Sequence, residues 1–130
     1  MKPVKIGIMP FAQYRRYTLG IARGQIVSKK SDPKIWFESI ETCLQVLSSH
    51  NLRLLKIIDE QKPESIEDLA RISGRKKSNL SRTLKNFEKY RIVDLIQKDR
   101  RKKPVALATE FEILIGKEHD FAPELTRRAG

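Results

Sequence analysis

Residues 65–96 read SIEDLARISGRKKSNLSRTLKNFEKYRIVDLI, and the position of one glycine within them decides the fold. Ser65 precedes Ile66, and Asp68 stands three positions further on. A hydroxyl that accepts from first-turn amides, followed by an acid near the positive end of the helix, predicts a helix start. Ile66, Leu69 and Ala70 share one face of a short helix running to about Ile72. Gly74 then stands where this helix must stop and the chain must turn sharply, because glycine enters left-handed backbone geometry without a Cβ clash. A second helix is expected from Lys77 or Ser78. Its Leu80, Leu84 and Phe87 recur at helical spacing, with the stem of Arg91 extending the stripe. The opposite stripe holds Ser78, Arg82, Lys85 and Lys89, flanked by Asn79 and Asn86.

Working outward, Asn51 to Glu60 places Leu52, Leu54, Leu55 and Ile58 at helical spacing, and Pro63 closes the segment. Residues 35–48 read as one more helix, with Ile40, Cys43, Leu44 and Leu47 on one side and Trp36 and Phe37 anchoring its start. Downstream, Ile92 to Ile96 and Val105 to Leu107 read as two short strands around the charged run from Lys98 to Lys103, with Pro104 opening the second. Alternating Phe111, Ile113 and Ile115 suggest a further strand. At the other end, Val4 to Met9 reads as a strand, and a helix follows from about Pro10 to Arg23, ending at Gly24. The expected fold is mainly α with a small β-hairpin wing, an α+β winged helix-turn-helix carrying an N-terminal strand–helix extension. The corresponding plan is an arm over 1–30 for dimer or partner contact, the winged helix-turn-helix over 31–116, and a flexible tail over 117–130. There is no internal repeat and no low-complexity segment.

A chain of 130 residues with 39% hydrophobic content has the size of one domain and can bury a core. No apolar run approaches the roughly 18–20 residues that a membrane span needs. Val4 to Met9 is too short for a secretory leader, is interrupted by Lys5, and is followed by Arg15 and Arg16. The single Cys43 can form no internal disulfide and reads as a small buried hydrophobe; a cytoplasmic location is expected. Net charge is +11 and is unevenly spread. Residues 71–103 carry 13 Lys or Arg against Glu88, Asp94 and Asp99, and residues 1–34 carry eight against Asp32, whereas 35–70 carry three against seven acids. Such blocks attract a polyanion by releasing its condensed counterions. Charge alone separates neither DNA from RNA nor either from a solvated surface, so spacing has to carry the distinction.

A helix can fill the major groove of B-DNA if one of its faces is free of core duties. Ser78, Asn79 and Arg82, in the first two turns, are the candidates for base contacts: arginine grips guanine bidentately, and asparagine does the same for adenine. Lys85 and Lys89, further along, and Arg75, Lys76 and Lys77, at the turn, are candidates for contacts to the DNA backbone, the last three aided by the helix dipole. Arg100, Arg101, Lys102 and Lys103 form the expected wing tip and complete that set. Against an enzyme, His50 and His119 stand apart with no Cys/His cluster, and no P-loop, dinucleotide turn or nucleophile elbow appears. The acids of 59–68 read as helix-start and solvent-face charges. No catalytic residue, metal ligand or cofactor is expected. Phe11, Tyr14, Tyr17, Leu19 and Ile21 exceed what a short arm needs for solubility, and can pack on the core, on a second subunit or on a partner protein. A homodimer reading two half-sites about 34 Å apart is expected.

The segments Ser65-Ile66-Glu67-Asp68-Leu69-Ala70, Gly74-Arg75, Asn79-Leu80-Ser81-Arg82-Thr83-Leu84 and Tyr90-Arg91-Ile92-Val93 resemble MarR-like and ArsR-like winged-helix regulators, with Leu-Ser-Arg-Thr-Leu at the start of the recognition helix. A typical member has Gly where Arg91 stands. Ile21-Ala22-Arg23-Gly24, Pro33-Lys34-Ile35-Trp36-Phe37-Glu38-Ser39 and the Ser-Arg-Thr-Leu segment extend the likeness over nearly all of 1–116, to a haloarchaeal and bacterial family of DNA-binding proteins often encoded beside a small toxin gene. That resemblance implies double-stranded DNA as ligand, autorepression of the operon, and an antitoxin role with a toxin protein as partner. A stand-alone regulator, or a toxin-binding module with DNA binding secondary, is the alternative.

Overall fold

In the computed structural model, which describes residues 2–27 and 32–116, the elements in chain order are β1 (Val4–Ile8), α1 (Phe11–Ala22), β2 (Ile35–Phe37), α2 (Ile40–Val46), α3 (Ser49–Gln61), α4 (Ile66–Ser73), α5 (Lys77–Lys89), β3 (Val93–Lys98), β4 (Arg101–Ala106) and β5 (Phe111–Leu114). Among the described residues they form two compact units, one of residues 2–3 with 44–110 and the other of residues 4–43 with 111–116. The expected tail 117–130, with His119, lies outside the described residues.

The larger unit is the winged helix, an α+β arrangement of three helices and one antiparallel hairpin. Side-chain caps set its helix starts. The Ser48 hydroxyl accepts from the Asn51 amide at 3.2 Å, and the Ser65 hydroxyl accepts from the Asp68 amide at 3.0 Å. The Asp68 carboxylate answers by accepting from the Glu64 amide at 3.0 Å, so the start of α4 is tied in both directions. Gly74 closes α4 at φ 74° and donates to the Ala70 carbonyl at 3.0 Å. Leu54, Leu55 and Ile58 of α3, Leu69 of α4, and Leu80, Leu84 and Phe87 of α5 converge on one core. Each is an apolar residue at the i, i+3 or i+4 spacing that brings side chains onto a single helix face.

The end of α5 departs from the expectation for Arg91. The helix stops at Lys89, the amide of Ile92 donates to the Phe87 carbonyl at 2.8 Å, and the amide of Arg91 donates to the Glu88 carbonyl at 3.1 Å. This pair of bonds is the Schellman arrangement, and it puts Arg91 itself into the left-handed region at φ 58°. Arg91 therefore points to solvent, and Ile92, not the arginine stem, joins Phe87 in the core. Left-handed geometry costs a residue with a Cβ about 1–2 kcal/mol, part of which is returned by the smaller entropy of its unfolded state. Arg91→Gly is expected to raise unfolding stability by about 1 kcal/mol, read as a higher urea midpoint at unchanged slope. An unchanged or lower midpoint would show that the turn carries no strain.

β3 and β4 pair antiparallel from Val93↔Ala106 to Lys98↔Arg101, leaving a two-residue loop of Asp99 and Arg100. The expected broad tip is thus shorter: Arg101, Lys102 and Lys103 lie inside β4, where their backbone groups serve the ladder. Of the two loop residues only Asp99 has positive φ, 57°, the pattern of a tight II′ hairpin turn that follows the twist of its strands. Pro104 is tolerated within β4 because both strands of a two-stranded ribbon are edges.

The smaller unit is a parallel three-stranded sheet of order β2-β1-β5, with α1 linking β1 to β2. Ile6 in the central strand is in register with Ile35 on one side and Ile113 on the other. Residues 35–37 were expected to open a helix; they form a strand instead, since three consecutive β-formers find a partner in β1. The helix starts only after Ser39, whose hydroxyl accepts from the Thr42 amide at 3.1 Å. Leu44, expected on the buried side of α2, is 56% exposed, because it lies beyond the edge of the stripe made by Cys43, Val46 and Leu47. Cys43 is buried as expected, and burial pushes its thiol pKa up. β5 was expected as a strand; it pairs in parallel with β1 and so belongs to this sheet, not to the hairpin's.

Candidate nucleic-acid interface

Burying Leu80, Leu84 and Phe87 leaves the other side of α5 to solvent by helical geometry alone. Ser78, Asn79, Arg82, Lys85, Asn86 and Lys89 are all exposed there. No acid occurs in α5 before Glu88, so its first three turns carry only cationic and neutral polar groups on that side. Lys76 sits exposed at the N-cap position, where the helix presents free amides and the positive end of its dipole. At the far end Lys89 leans over the Tyr90 ring, its Nζ 5.3 Å from the centroid.

Lys77 is exposed but paired, its Nζ 2.5 Å from Oε1 of Glu67 on α4. That hydrogen bond is the main reason the Glu67 carboxyl lies below its usual pKa. The pair is well solvated on both sides and so is a weak one, free to exchange for a phosphate. The Asp68 carboxyl is also lowered, first by the Glu64 amide and then by Arg71, with which it forms an ion pair.

Arg75 departs most from expectation. Its Nε and Nη2 both donate to the Asn79 Oδ1, at 3.0 and 2.6 Å, Nη2 also donates to the Thr83 hydroxyl at 3.0 Å, and Nη1 donates to the Asn51 Oδ1 at 3.2 Å. These bonds use four of the five N–H groups of a guanidinium. Arg75 is half-buried, its pKa drawn down by desolvation, and it ties α3 to α5 instead of standing free for a phosphate. Asn51 is itself fixed, its Nδ2 donating to the Val46 carbonyl at 3.0 Å. Asn51 and Thr83 escaped the sequence reading because neither belongs to a charged or apolar pattern. A polar Thr83 beside the core stripe was the only available signal.

On the wing, Arg100, Arg101 and Lys102 are exposed together with Lys98. Lys103 is half-buried, with Nζ 3.4 Å from Oε1 of Glu64. An open recess of about 640 Å³ lies between the start of α4 and the wing, lined by Glu64, Ser65, Glu67, Asp68, Arg71 and Arg101. Its three carboxylates, Glu64, Glu67 and Asp68, are offset locally by the guanidinium groups of Arg71 and Arg101. The acids of 64–68 hold neighbouring cations, which is a positioning duty the sequence did not reveal.

The residues expected to contact a partner lie in the smaller unit and are divided by the structure. Phe11 is 73% exposed, and Tyr14 and Leu19 are partly so. Tyr17, by contrast, is buried: its ring lies 5.5 Å from that of Trp36 and its hydroxyl donates to Asp32 at 3.2 Å. The Tyr14 ring lies 6.2 Å from that of Trp36, and Ile21 is half-buried. Tyr17 is therefore a core residue of its unit and cannot be a surface contact.

A short helix, a glycine turn, a longer helix with a cationic outer face and a basic hairpin define a winged helix-turn-helix protein. Residues 46–113, just over half of the chain, match the model of the HVO_A0114 family, and the chain belongs to that family. The fold is also similar to a crystal structure of "the predicted DNA-binding transcriptional regulator from E. coli", at a TM-score of 0.45 and 20% identity over 52% of this chain and 73% of that one. No curated protein matches the chain significantly. Among the described residues, no helix is long and apolar enough to cross a membrane.

Proposed function

We propose that the protein is a sequence-specific double-stranded DNA-binding transcriptional regulator that inserts α5 into the major groove and lays the β3–β4 wing along the adjacent backbone. The observation that carries this reading is the row of Ser78, Asn79, Arg82 and Lys85, all exposed, on the face of α5 opposite fully buried Leu80, Leu84 and Phe87. Arg82 is the principal base contact in this reading. Ser78 and Asn79 read neighbouring positions; Lys76, Lys77, Lys85, Lys89 and the wing cations grip phosphates. B-form DNA is favoured over RNA because the major groove of an A-form duplex is too narrow for a helix. The test compares the wild type with Arg82→Ala on a selected duplex and on a scrambled one. Losing one guanine contact is expected to cost about 1–3 kcal/mol on the selected site and little on the scrambled one. Equal loss on both, or an RNA duplex that competes as well as DNA, would overturn the reading.

The finer assignment, an autorepressing antitoxin acting as a homodimer in the cytoplasm, is part of this proposal and draws on the sequence resemblance. The exposed Phe11 is the surface feature that favours a protein partner for the smaller unit. Co-expression with the adjacent reading frame tests it: rescue of growth that Phe11→Ser abolishes is expected, and the absence of any toxic neighbour would leave the stand-alone regulator.

A further inference from the structure

We infer that Asn79 offers only hydrogen-bond donors to the base pair it faces, because Arg75 occupies its carboxamide oxygen, and that it selects guanine where an unrestrained asparagine would select adenine. The inference rests on the DNA-binding reading above and specifies what that same surface recognises.

The orientation of the Asn79 amide is forced by chemistry. A guanidinium has no acceptor, so the atom at 3.0 Å from Nε and 2.6 Å from Nη2 of Arg75 must be the carbonyl oxygen. Two donors converge on that oxygen, and the guanidinium delivering them is anchored independently by Thr83 at 3.0 Å and Asn51 at 3.2 Å. Flipping the amide would set its NH2 against the guanidinium and leave half-buried donors unmet. The NH2 of Asn79 is thereby directed away from Arg75, on an exposed residue in the first turn of α5.

This restraint inverts the usual preference of asparagine. Adenine is recognised bidentately, its N6 amino group donating to the amide oxygen while its N7 accepts from the amide nitrogen. With the oxygen engaged, the first half of that pattern is lost. Guanine offers O6 and N7, two adjacent acceptors, which suit an NH2 group with two hydrogens and no available oxygen. The exocyclic amino groups of adenine and cytosine would meet another N–H, and that mismatch works against them. Arg82, one helical turn further on, is also a pure donor, and no carboxylate lies in the first two turns of α5. The reading edge of the helix is thus matched to acceptor-rich, guanine-containing half-sites. Arg75 is a positioning residue here: it acts on the base through Asn79 and does not touch DNA.

The test is selection of binding sites from a randomised duplex pool by the full chain, run with the wild type, Asn79→Ala and Arg75→Ala. The expected result is a wild-type motif with G·C favoured over A·T by roughly tenfold at the position that Asn79→Ala flattens, and a move toward A·T at that position in Arg75→Ala. A merely structural Arg75 would weaken binding without moving one base preference. Should Arg75→Ala fail to fold, as judged by circular dichroism, the wild type and Asn79→Ala decide the question between them. A·T at the Asn79 position in the wild type overturns the inference, as does an Asn79→Ala motif identical to the wild type, or a folded Arg75→Ala with unchanged preference. Binding to all duplexes alike overturns it while leaving DNA binding intact. Binding to no duplex even in dilute buffer removes the DNA-binding reading and this inference together.

Discussion

On the proposed DNA-binding reading, changing Arg100, Arg101 and Lys102 together to glutamine is expected to weaken binding to every duplex, selected or scrambled, by on the order of a hundredfold at about 0.1 M salt. Each phosphate contact contributes about 0.9 to the slope of log affinity against log salt, so the slope becomes shallower by roughly 2.7. The three side chains suit the purpose because they are exposed on the hairpin and, among the described residues, make no ion pair that a phosphate would have to displace. Lys103 is left in place, since it is half-buried and paired with Glu64. Fluorescence-anisotropy titrations at several salt concentrations read both quantities. Phosphate contacts carry no sequence information, so the ratio of selected to scrambled affinity stays constant, in contrast to the Arg82→Ala outcome. A slope equal to that of the wild type would take the wing out of the interface.

Phe87→Ala is expected to have the largest effect on stability of the substitutions named, a loss of about 3–5 kcal/mol. Phe87 is fully buried in α5, and its carbonyl accepts from the Ile92 amide at the turn into the wing. Truncation would leave a cavity beside Leu80, Leu84 and Ile92 at the point where α5 and the hairpin join. A domain with about 5–15 kcal/mol of total stability loses a large share of it, and part of the population unfolds at growth temperature. Urea unfolding followed by circular dichroism measures the change. Leu44→Ala is the control: that side chain is 56% exposed, and its loss is expected to stay within about 0.5 kcal/mol. A Phe87→Ala effect as small as the control would mean that α5 does not depend on the core beneath it.

The winged helix was legible because its signals are local. Ser65 and Asp68 lie within one turn of each other, Gly74 marks its own backbone geometry, and the spacing of Leu80, Leu84 and Phe87 sets the outward face of α5 without reference to any other element. The exposure of Ser78, Asn79 and Arg82 followed from the same periodicity. Apart from the local misreadings of Arg91 and Leu44, the reading failed where two distant segments were involved. Ile35-Trp36-Phe37 looks helical beside 40–46 until β1, some thirty residues earlier, offers it a ladder. Phe111–Leu114 is recognisable as a strand, but nothing in its alternation says that its partner is Val4–Gly7 and not the neighbouring hairpin. Tyr17 reads as a surface aromatic until Trp36 and Asp32 are brought to it.

The amino-acid sequence by itself determined the order of the winged-helix elements, the face of α5 left to solvent and the sign of its charge, since period, caps and composition act over a few residues. Only the tertiary structure decided how the hydrogen-bonding capacity of that face is shared out. Arg75 and Asn79 are close along the chain, but Asn51 is 24 positions away from Arg75 and completes the bracket that turns an apparent phosphate contact into an internal clamp. The reason is physical: a guanidinium goes where several acceptors converge, and that convergence exists only once α3 and α5 have packed together.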